Sequence, residues 1–84
     1  MKTQIFCIYD SKAAAFLQPF FSATMFTGQR AFTDAVNDKS TLFNKHPEDY
    51  TLWHVGGFDD ETGILTPEAQ PQNLGLANQY LKQE

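Results

Sequence analysis

The chain has 84 residues, of which 42% are hydrophobic and 14% are aromatic, and its formal net charge at pH 7 is −4. This length allows one small domain, which we place at residues 1–84, and such a domain buries roughly 60–65% of its unfolded surface. The apolar content excludes an intrinsically disordered chain, and a single cysteine excludes a disulfide framework within the chain.

Charged residues are unevenly distributed along the chain. Residues 1–45 carry five cations and three anions, whereas residues 46–84 carry one cation and seven anions. This asymmetry argues against a nucleic-acid binder that uses its whole surface, but it allows a local basic patch in the first half. The sequence has no apolar window near the ~18 residues of a membrane span and no signal-peptide pattern, so we expect a cytoplasmic protein without a membrane partner.

The first predicted element is a central strand over Thr3 to Tyr9. Its two faces are both apolar, since Ile5, Cys7 and Tyr9 alternate with Phe6 and Ile8. A small buried thiol is the expected state of Cys7, because reactive cysteines need exposed and electropositive surroundings.

The first strand is followed by a turn at residues 10–12, then by an extended segment and then by a helix. Extended structure is predicted over Phe16 to Phe21, with Pro19 at a sheet edge or bulge because proline lacks a backbone donor. The strongest helix prediction is Thr24 to Asp38, with Thr24 or Thr27 as N-cap. Its apolar stripe has helical spacing and is formed by Ala31, Phe32, Ala35 and Val36.

The second half predicts a β-hairpin. Alternation from Tyr50 to Val55 indicates a strand, and residues 59–63 form the loop, with Gly63 in a left-handed conformation before Ile64-Leu65. Gly56-Gly57 indicates a bulge or a close backbone approach, and we favour the bulge. We expect residues 67–71 to be a polar linker, residues 73–82 to include a short helix, and residues 67–84 to form a loosely packed tail.

These elements predict an α+β fold. We expect a small, mainly antiparallel sheet of three or four strands, with the main helix packed on one face and a short C-terminal helix. The order of elements, in which one strong helix and a hairpin separate the strand signals, disfavours a repeated parallel unit.

The sequence has no phosphate-binding glycine loop, paired-cysteine motif or helical metalloprotease motif, so we expect no cofactor and no metal. Two sites are conceivable: a zinc site of His46 and His54 with Cys7 and a carboxylate, and a Cys7–His54 nucleophile pair. Ordinary structural positions explain these residues better. The sequence therefore predicts no catalytic residues and a protein that is not an enzyme.

Two surfaces are candidates for binding. The basic residues Lys12, Arg30, Lys39 and Lys45 are interleaved with five aromatic residues that would form either the core or a stacking platform for single-stranded nucleic acid: Tyr9, Phe16, Phe20, Phe21 and Phe26. We favour the core for these aromatics. The acidic loop Asp59, Asp60 and Glu61 is a candidate partner-binding surface, with a solvated turn as the plainer explanation, because it lacks the ligand spacing of a calcium loop.

Four blocks of sequence carry a family resemblance: Ile8 to Ala13, Leu17 to Phe21, Arg30 to Asp34 and Lys45 to Leu52, continued by Gly57 to Gly63. In this order they resemble the small nonstructural protein of gokushovirus-type Microviridae, known from the fifth open reading frame of chlamydia phages. These are small phages with single-stranded DNA.

The resemblance implies a nonstructural protein of the host bacterial cytoplasm that acts in viral single-stranded DNA replication or in the switch to packaging. It identifies no catalytic residue. We expect weak contact with single-stranded DNA through the N-terminal half. The alternative is a protein-interaction module that regulates a viral or host replication protein through a sheet edge and the acidic region 46–61. This module could act as a monomer or as a homodimer.

Overall fold

The computed structural model describes residues 2–82, which form an antiparallel sheet with one main helix across one face. Within this range the strands are β1 (Lys2–Asp10), β2 (Ala15–Phe16), β3 (Phe20–Ser22), β4 (Tyr50–Asp59) and β5 (Ile64–Leu76). The helices are α1 (Met25–Val36) and α2 (Leu42–Lys45), with 3-10 turns at Pro47–Asp49 and Ala77–Tyr80. The predicted α+β fold with a mainly antiparallel sheet is confirmed.

β1 is the central strand, as predicted. It pairs with β4 along its whole length, from Lys2 opposite Asp59 to Asp10 opposite Tyr50. On its other side it pairs with both short strands, β2 and β3, so the order across the sheet is β2-β1-β4-β5 with β3 also beside β1. Pro19 lies in the gap between β2 and β3, where its missing backbone donor interrupts no pairing.

The sheet has a helix-covered face and an outer face. The helix-covered face and the elements packed on it form one core of buried residues: Phe6, Ile8, Phe32, Val36, Tyr50, Leu52 and Ala77. No helix among residues 2–82 lies on the outer face. Its apolar side chains come from all five strands: Ile5, Cys7, Tyr9, Phe16, Phe21, Trp53, Val55, Phe58 and Leu65. The apolar residues on both faces of β1 therefore have different surroundings.

A capping box starts α1 at Thr24. The Thr27 backbone N–H donates to Thr24 Oγ1 at 3.1 Å, and the Thr24 N–H donates to Thr27 Oγ1 at 2.9 Å. Each side chain thus satisfies a donor that the first helical turn leaves unpaired. Of the two predicted N-caps, Thr24 is the one used.

The buried stripe of α1 is narrower than predicted. Gly28, Phe32 and Val36 are buried, Ala35 is half-buried, and Ala31 is exposed, so the prediction was wrong for Ala31. The reason is the close approach of α1 to the sheet at Gly28, where a Cβ would overlap the Phe6 ring. The helix therefore faces the sheet with its i, i+4 row starting at a glycine.

The hairpin between β4 and β5 is confirmed. Gly63 has φ of +75°, and its N–H donates to the Asp59 carbonyl at 2.7 Å, which closes the turn. The strand register shifts between His54 and Gly56, which confirms the predicted bulge.

The predicted linker at residues 67–71 is wrong, because these residues belong to β5. Pro67 lies opposite Gly56. Because β5 is an edge strand, no strand on its outer side needs the backbone hydrogen bonds that its prolines cannot donate. The predicted helix at residues 73–82 is shorter than expected. Its first part completes β5, and only the 3-10 turn Ala77–Tyr80 follows.

The C-terminal turn packs against the core. Ala77 is fully buried, and the Tyr80 ring meets the Phe32 ring edge-on at 5.2 Å between centroids.

Nowhere in residues 2–82 is there a helix with the length and apolar character needed to cross a bilayer.

Candidate nucleic-acid interface

A groove of about 400 Å³ runs between α1 and the C-terminal segment, and we call it the α1 groove. It is lined by Phe26, Gln29, Arg30, Thr33, Asp34, Tyr80 and Lys82. Its volume lies within the 300–1,000 Å³ range of small-ligand sites. Two cations and one carboxylate line it, so its local charge is positive although the whole chain is acidic.

Phe26 and Arg30 form the most distinctive pair in the groove. They are four residues apart on α1 and therefore lie on the same side of the helix. The Phe26 side chain is 70% exposed, and the Arg30 guanidinium carbon lies 5.9 Å from the centre of its ring. This distance lies just within the limit of about 6 Å for a cation–π contact. An exposed aromatic ring beside a planar cation can stack a base and meet its phosphate.

The other wall of the groove is tied to α1 by the Asn37 side chain. Asn37 Nδ2 donates to the Tyr80 carbonyl at 3.0 Å, and Asn37 Oδ1 accepts the Lys82 N–H at 2.8 Å. The Tyr80 hydroxyl donates to the Leu74 carbonyl at 2.6 Å. These bonds bring Lys82, the cation farthest from Arg30 in sequence, to the same groove.

The four basic residues suggested by the sequence lie on separate segments. Lys12 is in the turn between β1 and β2, Arg30 is on α1, Lys39 is in the turn after α1, and Lys45 ends α2. Of these four, only Arg30 lines the α1 groove. The groove thus contains one of the four candidates and adds Lys82, which sequence analysis did not single out.

A helical projection could have identified the exposed side of α1. Phe26, Arg30 and Asp34 share one row, two residues out of phase with the buried row that contains Phe32. No local pattern could have identified Lys82, because its position depends on how the C-terminal segment returns to α1.

The preference for a core position was wrong for three of the five candidate aromatics. Phe16 and Phe21 are about half exposed and Phe26 is more so, whereas Phe20 and Tyr9 are partly buried. The exposed residues do not form one platform. Phe26 lies in the α1 groove, while Phe16 and Phe21 lie on the outer face of the sheet.

The acidic residues lie at the turn of the hairpin. Asp59 is half-buried at the end of β4, and Asp60 and Glu61 are exposed. Asp59 Oδ1 accepts the Glu61 N–H at 2.9 Å, so this carboxylate helps to order the turn.

The sheet separates Cys7 from His54, so they do not form a nucleophile pair. His54 is buried on the helix-covered face, where its Nε2 lies 2.8 Å from Gln4 Oε1. Cys7 lies on the outer face, opposite Trp53, and burial raises the pKa of its thiol. The thiol is therefore held in its less nucleophilic, protonated form.

His46, Glu48 and Asp49 form a small surface cluster around the 3-10 turn that precedes β4. Their ligand atoms lie within 4.8 Å of one another, and His46 and Glu48 are exposed. Exposed acidic clusters of this kind are common at solvated turns, so the cluster by itself does not indicate a metal.

These features define a small α+β domain with a basic, aromatic groove on its helix and a bare apolar sheet face. The family model described as Phage ORF5 protein matches residues 3–80 of the chain. The chain therefore belongs to the Phage ORF5 protein family, which confirms the resemblance drawn from its sequence blocks. No curated protein and no solved structure matches the chain.

Proposed function

We propose that this phage protein is a non-enzymatic factor that assists viral single-stranded DNA replication or the switch to packaging. In this proposal it binds single-stranded DNA weakly through the α1 groove. The observation that carries the proposal is the exposed Phe26 ring beside the Arg30 guanidinium, in a groove that Lys82 also lines. Family membership supports a role in a phage.

The groove chemistry predicts the character of the binding. Stacking of a base on an aromatic side chain contributes about 1–3 kcal/mol and tolerates any base, so the binding should have little sequence preference. Two phosphate contacts, to Arg30 and Lys82, predict a slope of about −1.4 for log affinity against log salt on a single strand. Asp34 and the net charge of −4 keep the affinity low.

The test is fluorescence anisotropy of a labelled oligothymidylate at several salt concentrations. Arg30→Glu should weaken binding and flatten the salt dependence, and Phe26→Ala should weaken binding by the roughly 1–3 kcal/mol of one stacked base. Leu42→Ala is the matched control for Phe26→Ala, because Leu42 is an exposed apolar side chain on α2, outside the groove.

Lys12→Glu separates the groove from general charge, since it makes the same charge change as Arg30→Glu on the turn between β1 and β2. An equal loss from both substitutions would contradict the groove. Folded wild-type protein that binds no oligonucleotide at low salt would reject direct DNA contact altogether.

A second candidate function is a protein-interaction module that regulates a viral or host replication protein. The position of Asp59, Asp60 and Glu61 at the turn of a hairpin favours it, because charges at the rim of an interface speed association. Changing them to Asn, Asn and Gln should leave the melting temperature nearly unchanged and weaken partner pull-down. Full phage yield from this triple variant would contradict this function and indicate that the three acidic residues form a solvated turn.

A further inference from the structure

The outer face of the sheet is apolar and uncovered by residues 2–82. Phe16, Phe21 and Leu65 are 51%, 53% and 59% exposed on it. They surround partly buried side chains such as Cys7 and Val55. A sheet with apolar side chains on both faces is typical of an element that is covered on both faces.

The edges of the sheet are poor docking sites, which leaves the face. At one edge, β5 carries Pro67 and Pro71, and at the other, Pro19 lies in the gap between the two short strands β2 and β3. Prolines supply no backbone donor, so an added strand would find a broken row of partners. The sheet-edge contact expected from the sequence is thus disfavoured.

The outer face exposes an apolar patch at the upper end of the sizes that monomers show. An aromatic side chain presents about 150–250 Å² when fully exposed, so the half-exposed Phe16 and Phe21 alone leave about 200 Å² of apolar surface. With Leu65, Pro19, Pro67 and the partly buried side chains, the patch reaches several hundred Å². The largest patches on typical monomers measure about 300–600 Å² and stable interfaces bury about 800 Å² per partner, so we expect a dimer through this face to be weak and concentration-dependent.

The chain is elongated, and it is thin along its shortest axis. Its radius of gyration is 13.1 Å and its extents are 42 × 26 × 19 Å. A compact monomer of this length is expected to have a radius of gyration of about 12 Å. The shortest extent corresponds to a helix layer and a sheet layer, and a second sheet would add about 10 Å to it.

We propose that the outer face is the interface of a homodimer in which two sheets pack face to face. The centre of this face is a hollow of about 260 Å³ lined by apolar residues that include Ile5, Cys7, Phe21 and Leu65. Phe16 lies outside the hollow, where its ring packs on Trp53 at 6.2 Å between centroids. The same face therefore presents both a half-exposed aromatic ring and an apolar hollow.

A second copy fits this surface better than an unrelated partner. A two-fold axis can place Phe16 of each copy against the hollow of the other, as a self-complementary interface requires. The residues that line the hollow are uncharged, so two copies bring no like charges together at the centre. Face-to-face packing at about 10 Å is also the usual arrangement of two antiparallel sheets.

The test is sedimentation of the wild-type chain and two matched variants from micromolar to near-millimolar concentration. Leu65→Lys places a charge on the outer face, whereas Leu42→Lys makes the same change on α2, at a side chain with nearly equal exposure of 58%. We expect the wild type and Leu42→Lys to dimerise. Leu65→Lys should weaken dimerisation about tenfold or more, because burial of one leucine contributes at least that factor.

A second measurement needs no substitution and so does not depend on whether a variant folds. Cys7 lines the hollow, and its rate of reaction with a thiol reagent should fall as the wild-type concentration rises and the dimer forms. A wild-type protein that stays monomeric over this concentration range, with unchanged Cys7 reactivity, would overturn the proposal. The outer face would then have to bind a partner other than a second copy. Equal effects of Leu65→Lys and Leu42→Lys, or a dimer with Cys7 unprotected, would place the interface elsewhere.

Discussion

Substitution of Gly28 by alanine sets helix propensity against packing, and the structure predicts that packing prevails. Propensity alone predicts a gain of about 0.8–1 kcal/mol for glycine to alanine within a helix. In the folded protein, however, a Cβ at Gly28 would overlap the Phe6 ring, approaching its Cδ1 atom to 2.9 Å and other ring atoms more closely still. Phe6 is fully buried and cannot turn into solvent.

The size of the effect follows from these two contributions. Adding a methyl group to a filled core costs about 1–3 kcal/mol, because neighbours leave their preferred rotamers. The Phe6 ring has little room to move, since it stacks on Phe20 at 5.4 Å and packs on His54 at 5.5 Å between ring centroids. After the propensity gain is subtracted, we expect Gly28→Ala to destabilise the protein by about 1 kcal/mol, which lowers Tm by roughly 4–8 °C.

The assay is chemical denaturation of the wild type, both single variants and the double variant Gly28→Ala/Phe6→Leu. Leucine lacks the outer ring atoms, so Gly28→Ala should become neutral or stabilising in the Phe6→Leu background. The coupling between the two sites should be about 1–3 kcal/mol. A rise in stability from Gly28→Ala in the wild-type background would refute the close approach of α1 to β1.

Three further predictions test the core, the hairpin and the thiol. Phe32→Ala should lower the free energy of unfolding in urea by about 3–5 kcal/mol, because Phe32 is 1% exposed. Phe26→Ala, at an exposed position on the same helix, should lower it by less than about 0.5 kcal/mol. Similar losses from the two substitutions would contradict the orientation of α1. Gly63→Val should lower stability by about 1–3 kcal/mol, because a β-branched residue is strained at φ of +75°, and an unchanged Tm would argue against this turn. Burial raises the pKa of Cys7, so the pH profile of its labelling by a thiol reagent in dilute folded protein should have a higher midpoint than in unfolded protein. Coincident labelling profiles of the folded and unfolded protein would contradict burial of the thiol. The stabilisation associated with the raised pKa is present below the ordinary thiol pKa and is lost as pH rises through the raised pKa.

The sequence by itself determined the elements whose signals are local. The apolar run around Phe6 predicts a central strand, Thr24 predicts the start of a helix, and Gly63 predicts a left-handed turn. Each of these signals lies in side chains and backbone angles within a few residues, so it can be recognised without knowledge of the rest of the fold. The same holds for the family, because its sequence blocks can be read without a fold.

Only the tertiary structure decided where segments with weak local signals would lie. Residues 67–71 resemble a linker because they contain two prolines, but pairing with β4 on both sides of them, at Pro67 and at Gln72, places them within β5. Ala31 has the spacing of a core residue, yet the approach of α1 at Gly28 turns it toward solvent.

The candidate site divides in the same way. Arg30 could be proposed from its charge, and the exposure of Phe26 from its row on the helix. Lys82 joins them only because Asn37 binds a segment more than forty residues away in sequence. The bare outer face also could not be predicted, because the two apolar faces of β1 are alike in sequence. Which of them α1 covers is decided by how the whole chain packs.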